Sequence, residues 1–203
     1  PVGEYGAQNP GPLAAEFLGL GKKEKVVAVI PVDEKSIVAL GTKNGTVKRV
    51  LPDFPQKSDF ECINLKAGDK VVGAALSEEN DELVFITQDA QLLRFDAKTV
   101  RPQGRNGAGM AGIKTESEVV FFGVLKAKTK NIVLTIANSS KSLPGTDPGA
   151  LKVSKIDEFP KKGRATGGMR AHKFTKARDQ IALAYAGPES FQLLDAKGKA
   201  IGV

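Results

Sequence analysis

The apolar residues of this chain fall in short runs rather than along a helical stripe. SIVALGT (Ser36 to Thr42), ELVFIT (Glu82 to Thr87), NIVLTIA (Asn131 to Ala137) and QIALAYA (Gln180 to Ala186) are rich in aliphatic and β-branched residues. Runs of this length and makeup predict strands. The runs recur at a steady step: Val38 to Val84 is 46 residues, Val84 to Val133 is 49, and Val133 to Leu183 is 50. A period of that size marks a repeat architecture.

The polar segments between the runs repeat as well. TKNGTVKRV (Thr42 to Val50) overlays TQDAQLLRF (Thr87 to Phe95) at an offset of 45, pairing Thr42 with Thr87 and Arg49 with Arg94. Asn44-Gly45 between β-rich runs predicts a two-residue hairpin turn with positive φ at both central residues. RPQGRNGAGMAGIK (Arg101 to Lys114) overlays PKKGRATGGMRAHK (Pro160 to Lys173) at an offset of 59, sharing G-R-x-x-x-G-M-x-x-x-K. The larger offset is explained by an extra loop, SSKSLPGTDPG, Ser139 to Gly149.

Units of this kind, with almost no helical periodicity, predict an all-β fold: a propeller-like array of about four blades. A pair of β-sandwiches is the competing architecture. The predicted units are residues 25–66, 67–115, 116–174 with its insertion at 139–149, and a partial or closing unit at 175–203. Residues 1–24 read as the tail of a preceding blade or an inter-blade strand. The start at Pro1 rather than Met suggests a fragment, with the array incomplete at its N-terminus.

Charge adds a partner class. The 203 residues carry a formal net charge of +7, and a basic protein of this kind points to an acidic partner, most simply nucleic acid. The charge is uneven. Residues 1–100 hold 12 Lys/Arg against 15 Asp/Glu, and residues 101–203 hold 18 against 8, so the halves carry −3 and +10. The densest window, KKGRATGGMRAHKFTKAR (Lys161 to Arg178), has seven basic residues and no acid. Glycines interleave with its cations, which favours a surface that binds anions through both backbone and side chains.

GAGMAG (Gly107 to Gly112) satisfies G-x-G-x-x-G, the spacing of a dinucleotide-binding turn. Such a turn must follow a buried strand, open a helix and precede an acid by about 20 residues. Here RPQ precedes it, the strand-like TESEVVFFGV follows, and KAKTK (Lys126 to Lys130) occupies the place of the acid. The second copy, TGGMRA, lacks the spacing. The fingerprint is accidental.

Other chemistry is thin. Cys62 is the only cysteine, which excludes an intrachain disulfide and suits a reducing compartment. His172 is the only histidine and sits inside the basic window, a poor basis for a catalytic triad. One Cys and one His cannot hold zinc by themselves. The acids Glu78, Glu79, Asp81 and Glu82 precede a strand and read as a solvated turn rather than a Mg²⁺ site. No apolar run approaches the roughly 20 residues of a membrane span. No catalytic residue, metal ligand or cofactor is assigned.

The ordered motifs N-G-x-V-K-R, E-L-V-F-I-T-x-D-A-Q-L-L-R-F and V-R-P-Q-G-R-x-x-x-G-M-x-G-I-K resemble the C-terminal domain of the A subunit of bacterial type IIA topoisomerases, the family of DNA gyrase and topoisomerase IV. The resemblance runs from about Lys25 to Lys173. It implies a β-pinwheel, a ring of four-stranded blades that bends double-stranded DNA around a basic perimeter. It also implies a cytoplasmic, chromosome-associated parent. In that parent the remainder of the A subunit and an ATPase B subunit supply the cleavage core, with ATP and Mg²⁺. In gyrase the first blade carries a basic box, Q-R-R-G-G-K-G, after its K-R strand. Here Gln56 to Cys62 (QKSDFEC) stands in that place with one cation and two acids, closer to topoisomerase IV, whose box is degenerate. The resemblance and the charge pattern nominate DNA contacts at Lys48, Arg49 and Arg94 on the hairpins and at Arg101, Arg105 and Lys114 in the first glycine loop. Lys152, Arg164, Arg170 and Lys173 complete the set. A gyrase-type wrapping domain that supports negative supercoiling is the alternative within the family, and a protein-binding propeller without DNA affinity and a small enzyme using the glycine loop are the rival readings from other classes.

Overall fold

The computed structural model describes residues 6, 8–22, 24–57, 59–143, 146, 147, 149–190, 193, 194, 200 and 201. Parts of four predicted segments lie outside the described residues: positions 1–5, 7 and 23 of the 1–24 tail, position 58 of the 25–66 unit and of the 56–62 stretch, part of the 139–149 insertion, and much of the end of the 175–203 unit.

The long strands form where the sequence is apolar. β1 (Val38–Thr42) and β2 (Thr46–Val50) make the first hairpin, and β3 is Val71–Leu76. β4 (Glu82–Thr87) and β5 (Gln91–Asp96) make the second hairpin, and a 3₁₀ turn, η1 (Ala97–Thr99), follows it. Then come the two-residue β6 (Met110–Ala111) and the long β7 (Val119–Leu125). β8 (Asn131–Asn138), β9 (Ala150–Lys155), a 3₁₀ turn η2 (Ile156–Glu158), the two-residue β10 (Met169–Arg170) and β11 (Gln180–Pro188) complete the main body. A short pair, β12 (Leu193–Leu194) and β13 (Ala200–Ile201), lies beyond, and one helical turn, α1 (Ala14–Phe17), precedes the sheets.

Among the described residues the main-body strands assemble into three antiparallel sheets with the orders β3-β1-β2-β6, β10-β5-β4-β7 and β11-β8-β9, and β12 and β13 pair as a separate two-stranded sheet. The fold is therefore all-β and propeller-like. The sheets are not contiguous in sequence. Sheet 1 takes β3 and β6 from the predicted unit 67–115, sheet 2 takes β7 and β10 from 116–174, and sheet 3 takes β11 from 175–203. The predicted boundaries thus fall inside sheets, because the sequence period tracks the hairpins while each sheet is completed by strands from the next period. The exchange covers both edges of the first two hairpins and the β8 edge of the third, where unpaired N–H and C=O groups would otherwise lie open.

Each of the first two hairpins turns through three residues. The strands end at Thr42 and Thr87 and resume at Thr46 and Gln91. Only the third loop residue takes positive φ, Gly45 at 84° and Ala90 at 67°, so the expected two-residue turn is replaced by a type I-like turn with one left-handed residue. The matched threonines explain the difference. Thr42 Oγ1 accepts from Thr46 N at 3.1 Å, and Thr87 Oγ1 accepts from Gln91 N at 2.9 Å. Both threonines are fully buried, so each hydroxyl satisfies an amide that the turn leaves outside the ladder.

Two apolar layers hold the sheets together. Between sheets 1 and 2, Ala39 and Val47 meet Leu83, Phe85, Leu93, Phe95 and Phe122. The Phe85 and Phe122 rings lie 4.9 Å apart. Between sheets 2 and 3, Val84, Ile86 and Leu92 meet Val133, Ile156, Phe159 and Ala186. Alternate residues of β4 therefore serve opposite layers, which is why ELVFIT reads as an unbroken apolar run.

Gly41 and Gly73 face each other across β1 and β3. A Cβ on Gly41 would stand 2.3 Å from Phe122 Cγ, and one on Gly73 would stand 2.3 Å from the Phe122 carbonyl oxygen. The paired glycines are the slot that receives Phe122 from β7. Gly73→Ala is expected to destabilise the fold by about 1–3 kcal/mol, the usual range for overpacking. Gly104→Ala, with nothing within 4 Å of its added Cβ, is expected to stay within about 0.5 kcal/mol. Urea denaturation of the two variants checks the difference.

Candidate nucleic-acid interface

The candidate surface is built from the two glycine loops, residues 101–114 and 160–173. Each follows a 3₁₀ turn and lays a two-residue strand on the outer edge of a sheet: β6 on β2 (Thr46↔Ala111, Val47↔Met110) and β10 on β5 (Met169↔Leu92, Arg170↔Gln91). GAGMAG runs into β6 rather than a helix, so no dipole or row of amides is aimed at a pyrophosphate. The depression over this loop, about 580 Å³ and lined by Asp53, Arg101 and Gln103 to Gly109, lies open.

The two loops join directly. Lys114 N donates to Thr166 O at 3.0 Å, and Ala165 N donates to Gly112 O at 2.7 Å. The Arg164 guanidinium donates to Ala111 O. They form one continuous strip across the edges of sheets 1 and 2.

The ten nominated cations separate into three groups. Lys48 and Arg49 are fully buried and do not reach a duplex. The Lys48 ammonium donates to the carbonyls of Cys62 at 2.8 Å, Arg105 at 2.6 Å and Gly107 at 2.7 Å. Burial holds it below the usual lysine range. The Arg49 guanidinium donates to Ala97 O and Val100 O, both at 3.3 Å, and to Glu79 Oε1 at 2.9 Å. Both residues sit inside because β2 is covered on its two faces, so adjacent side chains pointing opposite ways are both enclosed. Arg94 belongs with them: its Nε donates to Phe159 O, and it pairs with Glu82 at 2.9 Å.

Arg105, Arg164 and Lys152 form the second group, each engaged within the protein without being enclosed. Arg105 lies over the Phe60 ring, 5.8 Å from its centroid, an arrangement that leaves a guanidinium some hydrogen-bonding capacity. Arg164 ties the loops together while staying partly exposed. Lys152 is exposed, and its ammonium donates to Ala171 O at 2.9 Å.

Arg101, Lys114, Arg170 and Lys173 are exposed, and among the described residues no hydrogen bond or ion pair engages their side chains. Two residues that were not nominated share this surface. Lys176 is exposed, as is Lys162, whose ammonium lies 3.4 Å from the carbonyls of Gly167 and Gly168. Both belong to the basic window Lys161 to Arg178, and that window was the signal for them. Lys161 is compensated by Asp96 at 2.7 Å and Glu82 at 3.4 Å.

The acids before β4 are not simply a solvated turn. Asp81 is buried and accepts from Glu78 N at 2.8 Å, Ala127 N at 3.2 Å and the Lys126 ammonium at 2.8 Å. Among the described residues no cluster of three or more metal-ligating side chains occurs, and no helix is long and apolar enough to cross a membrane.

His172 is buried, with Nδ1 2.9 Å from Thr135 Oγ1 and its ring stacked on Phe174. Burial, and then the charges of Lys152 and Arg178, hold its pKa below the ordinary histidine value of 6.5. The unfolded chain therefore takes up a proton that the folded chain refuses, so this contribution is fully present above about pH 6.5 and declines as pH falls below it. The urea midpoint is expected to drop between about pH 7.5 and 5.5. His172→Gln, which can still bond Thr135, is expected to show a smaller drop over the same range. Equal drops in both proteins would assign the acid sensitivity to other groups.

Comparison with known proteins follows the same lines. A family model described as the DNA gyrase C-terminal domain, beta-propeller, matches residues 62–78, 81–126 and 146–182. The A subunit of DNA gyrase from Salmonella typhimurium is 29% identical over 171 residues, covering 81% of this chain and 18% of that protein. Its counterpart from Buchnera aphidicola is 34% identical over 167 residues, covering 79% and 18%. The chain thus spans less than a fifth of the length of these relatives. Among solved structures, the crystal structure of the C-terminal domain of DNA topoisomerase IV aligns with a TM-score of 0.76 at 24% identity, covering 94% of this chain and 60% of that one. The DNA gyrase A C-terminal domain aligns with a TM-score of 0.66 at 20% identity, covering 85% and 57%.

Proposed function

The chain belongs to the family of C-terminal domains found in the A subunits of type IIA topoisomerases, and from that premise we propose that it binds and bends duplex DNA along the strip formed by its two glycine loops. The observation that supports this most is the junction of the loops, which joins the two segments that carry Arg101, Lys114, Arg170 and Lys173, all four exposed and without acidic partners among the described residues. A duplex needs many cation–phosphate contacts spread over a surface, rather than a pocket. Arg105, Lys152, Lys162, Arg164 and Lys176 add charge around this core.

In this reading the domain is not itself catalytic. It presents DNA to a cleavage core carried by the rest of an A subunit, which works with an ATPase B subunit in the cytoplasm on chromosomal DNA. The acidic character of Gln56 to Cys62 favours topoisomerase IV-type bending over gyrase-type wrapping. Phe60, from that stretch, packs against Phe54 and lies under Arg105, and Cys62 O receives the Lys48 ammonium. Phe60 and Cys62 are thus held against the first glycine loop and β2.

Duplex affinity is expected to be independent of sequence and to fall with salt. Contact with about five to eight phosphates gives a slope of log K against log salt of about −4 to −7. Fluorescence anisotropy across a salt series reads the slope. A slope near −1, or a strong preference for one sequence, would remove the DNA strip.

Ligation of nicked circles in the presence of the chain tests the topology. Bending without chiral wrapping is expected to leave the linking number nearly unchanged after deproteinisation. A large positive shift would assign gyrase-type wrapping instead.

A further inference from the structure

Arg49 and Arg94 occupy the same position in successive hairpins, opposite Ala39 and Val84. Each side chain crosses to the next unit and donates to the carbonyl of the residue that ends its 3₁₀ turn: Arg49 to Val100 O at 3.3 Å, Arg94 to Phe159 O. Each main chain makes a second tie three residues further on. Arg49 O accepts from Gln103 N at 2.8 Å, and Arg94 O accepts from Lys162 N at 3.1 Å. A single residue thus grips the following glycine loop twice, just before and just after its first residues.

We infer that Arg49 and Arg94 are positioning residues for the two glycine loops, setting where the exposed cations of each loop stand without meeting the duplex themselves. The inference rests on the DNA-binding reading above. Its physical basis is that a loop rich in glycine has little conformational preference of its own. Where such a loop leaves the 3₁₀ turn, only its anchors decide the direction. A guanidinium is suited to this task because its planar donors can hold a carbonyl and a carboxylate together, as Arg94 does with Phe159 O and Glu82. The apolar side chains of Val100 and Phe159 are buried, so the core and the arginine fix the same point from two sides.

The test uses the full chain and the double variant Glu82→Gln/Arg94→Met. It removes the guanidinium tie while leaving net charge unchanged, so the long-range attraction for DNA is preserved. Circular dichroism sets a temperature at which the protein is fully folded. Anisotropy with a random-sequence duplex and hydrogen exchange across residues 159–173 are then read at that temperature. The expected result is about a three- to tenfold weaker affinity and a salt slope flatter by roughly one, the signature of a lost phosphate contact. Faster exchange is expected in 159–173 but not in β4.

A residue that only supports the fold would lower the melting temperature and leave the slope and affinity of the folded protein unchanged, and that result overturns the role. If the double variant does not fold, Arg94→Lys gives the same readouts with the charge retained. The same loss of affinity and slope supports the role, and unchanged values overturn it. Failure of the unaltered chain to bind DNA overturns the DNA reading and this role with it. Binding by the unaltered chain, with equal binding by the variants, overturns this role alone.

Discussion

Backbone carbonyls that have no strand to pair with must find donors, and in this protein buried cations provide them. The Lys48 ammonium meets three carbonyls and no carboxylate. An isolated charge in that setting loses most of its hydration, which is unfavourable unless the surrounding oxygens replace it. Two of those oxygens belong to the first glycine loop, so the lysine is what allows the loop to fold down onto β2. The equivalent place on β5 is taken by Leu93, and the second loop meets its own carbonyls with Lys162. The two copies solve one problem with cations from different places. The formal charge of the chain therefore overstates what the surface offers to a polyanion.

The second constraint is the exchange of strands between units. β6 and β10 are only two residues long, yet they complete sheets whose other strands come from an earlier part of the chain. The outcome is a rim that cannot move independently of the hairpin beneath it. Phe122, seated between Gly41 and Gly73, ties the other edges of sheets 1 and 2 in the same way.

The hairpins were legible because their signal is local: a buried apolar run, a turn, and a threonine whose hydroxyl closes the turn. The matching of Thr42 with Thr87 and of Arg49 with Arg94 came from the same pattern. Strand exchange was not legible, since a two-residue strand has no periodicity to detect and its partner lies far back along the chain, as Val47 does from Met110. The burial of Lys48 and Arg49 was also hidden. A V-K-R-V segment reads as an exposed basic step unless both faces of its strand are known to be covered. The one available hint was that Arg94, which matches Arg49 in the repeat, sits between Leu93 and Phe95. The exposed cations were easier to find, because Arg170 and Lys173 stand in a window without acids, and that composition survives whatever the fold does with it.

The fold also sorts charge by place. Glu82 and Asp96 face each other at one end of the second hairpin, where they meet Arg94 and Lys161. Asp81, next in line, holds Lys126. Several acids of the first half are thus set against cations near the strand ends that lie away from the Gly45 and Ala90 turns. At the turn ends acids and cations mix: Lys43 pairs with Glu118 at 2.9 Å, Asn44 N bonds to Asp69, and Asp89 accepts from the Thr87 hydroxyl. Gly112 N and Ile113 N bond to Gly45 O, which brings Lys114 to the first turn. Arg170 pairs in register with Gln91 beside the second turn, and Ala171 N bonds to Ala90 O. These acids are engaged locally, which leaves Lys114 and Arg170 exposed near the turns without an ion pair among the described residues. The loop junction, where Lys114 N bonds to Thr166 O, carries the main chain from one sheet edge to the next, so these two cations stand on one connected stretch of backbone.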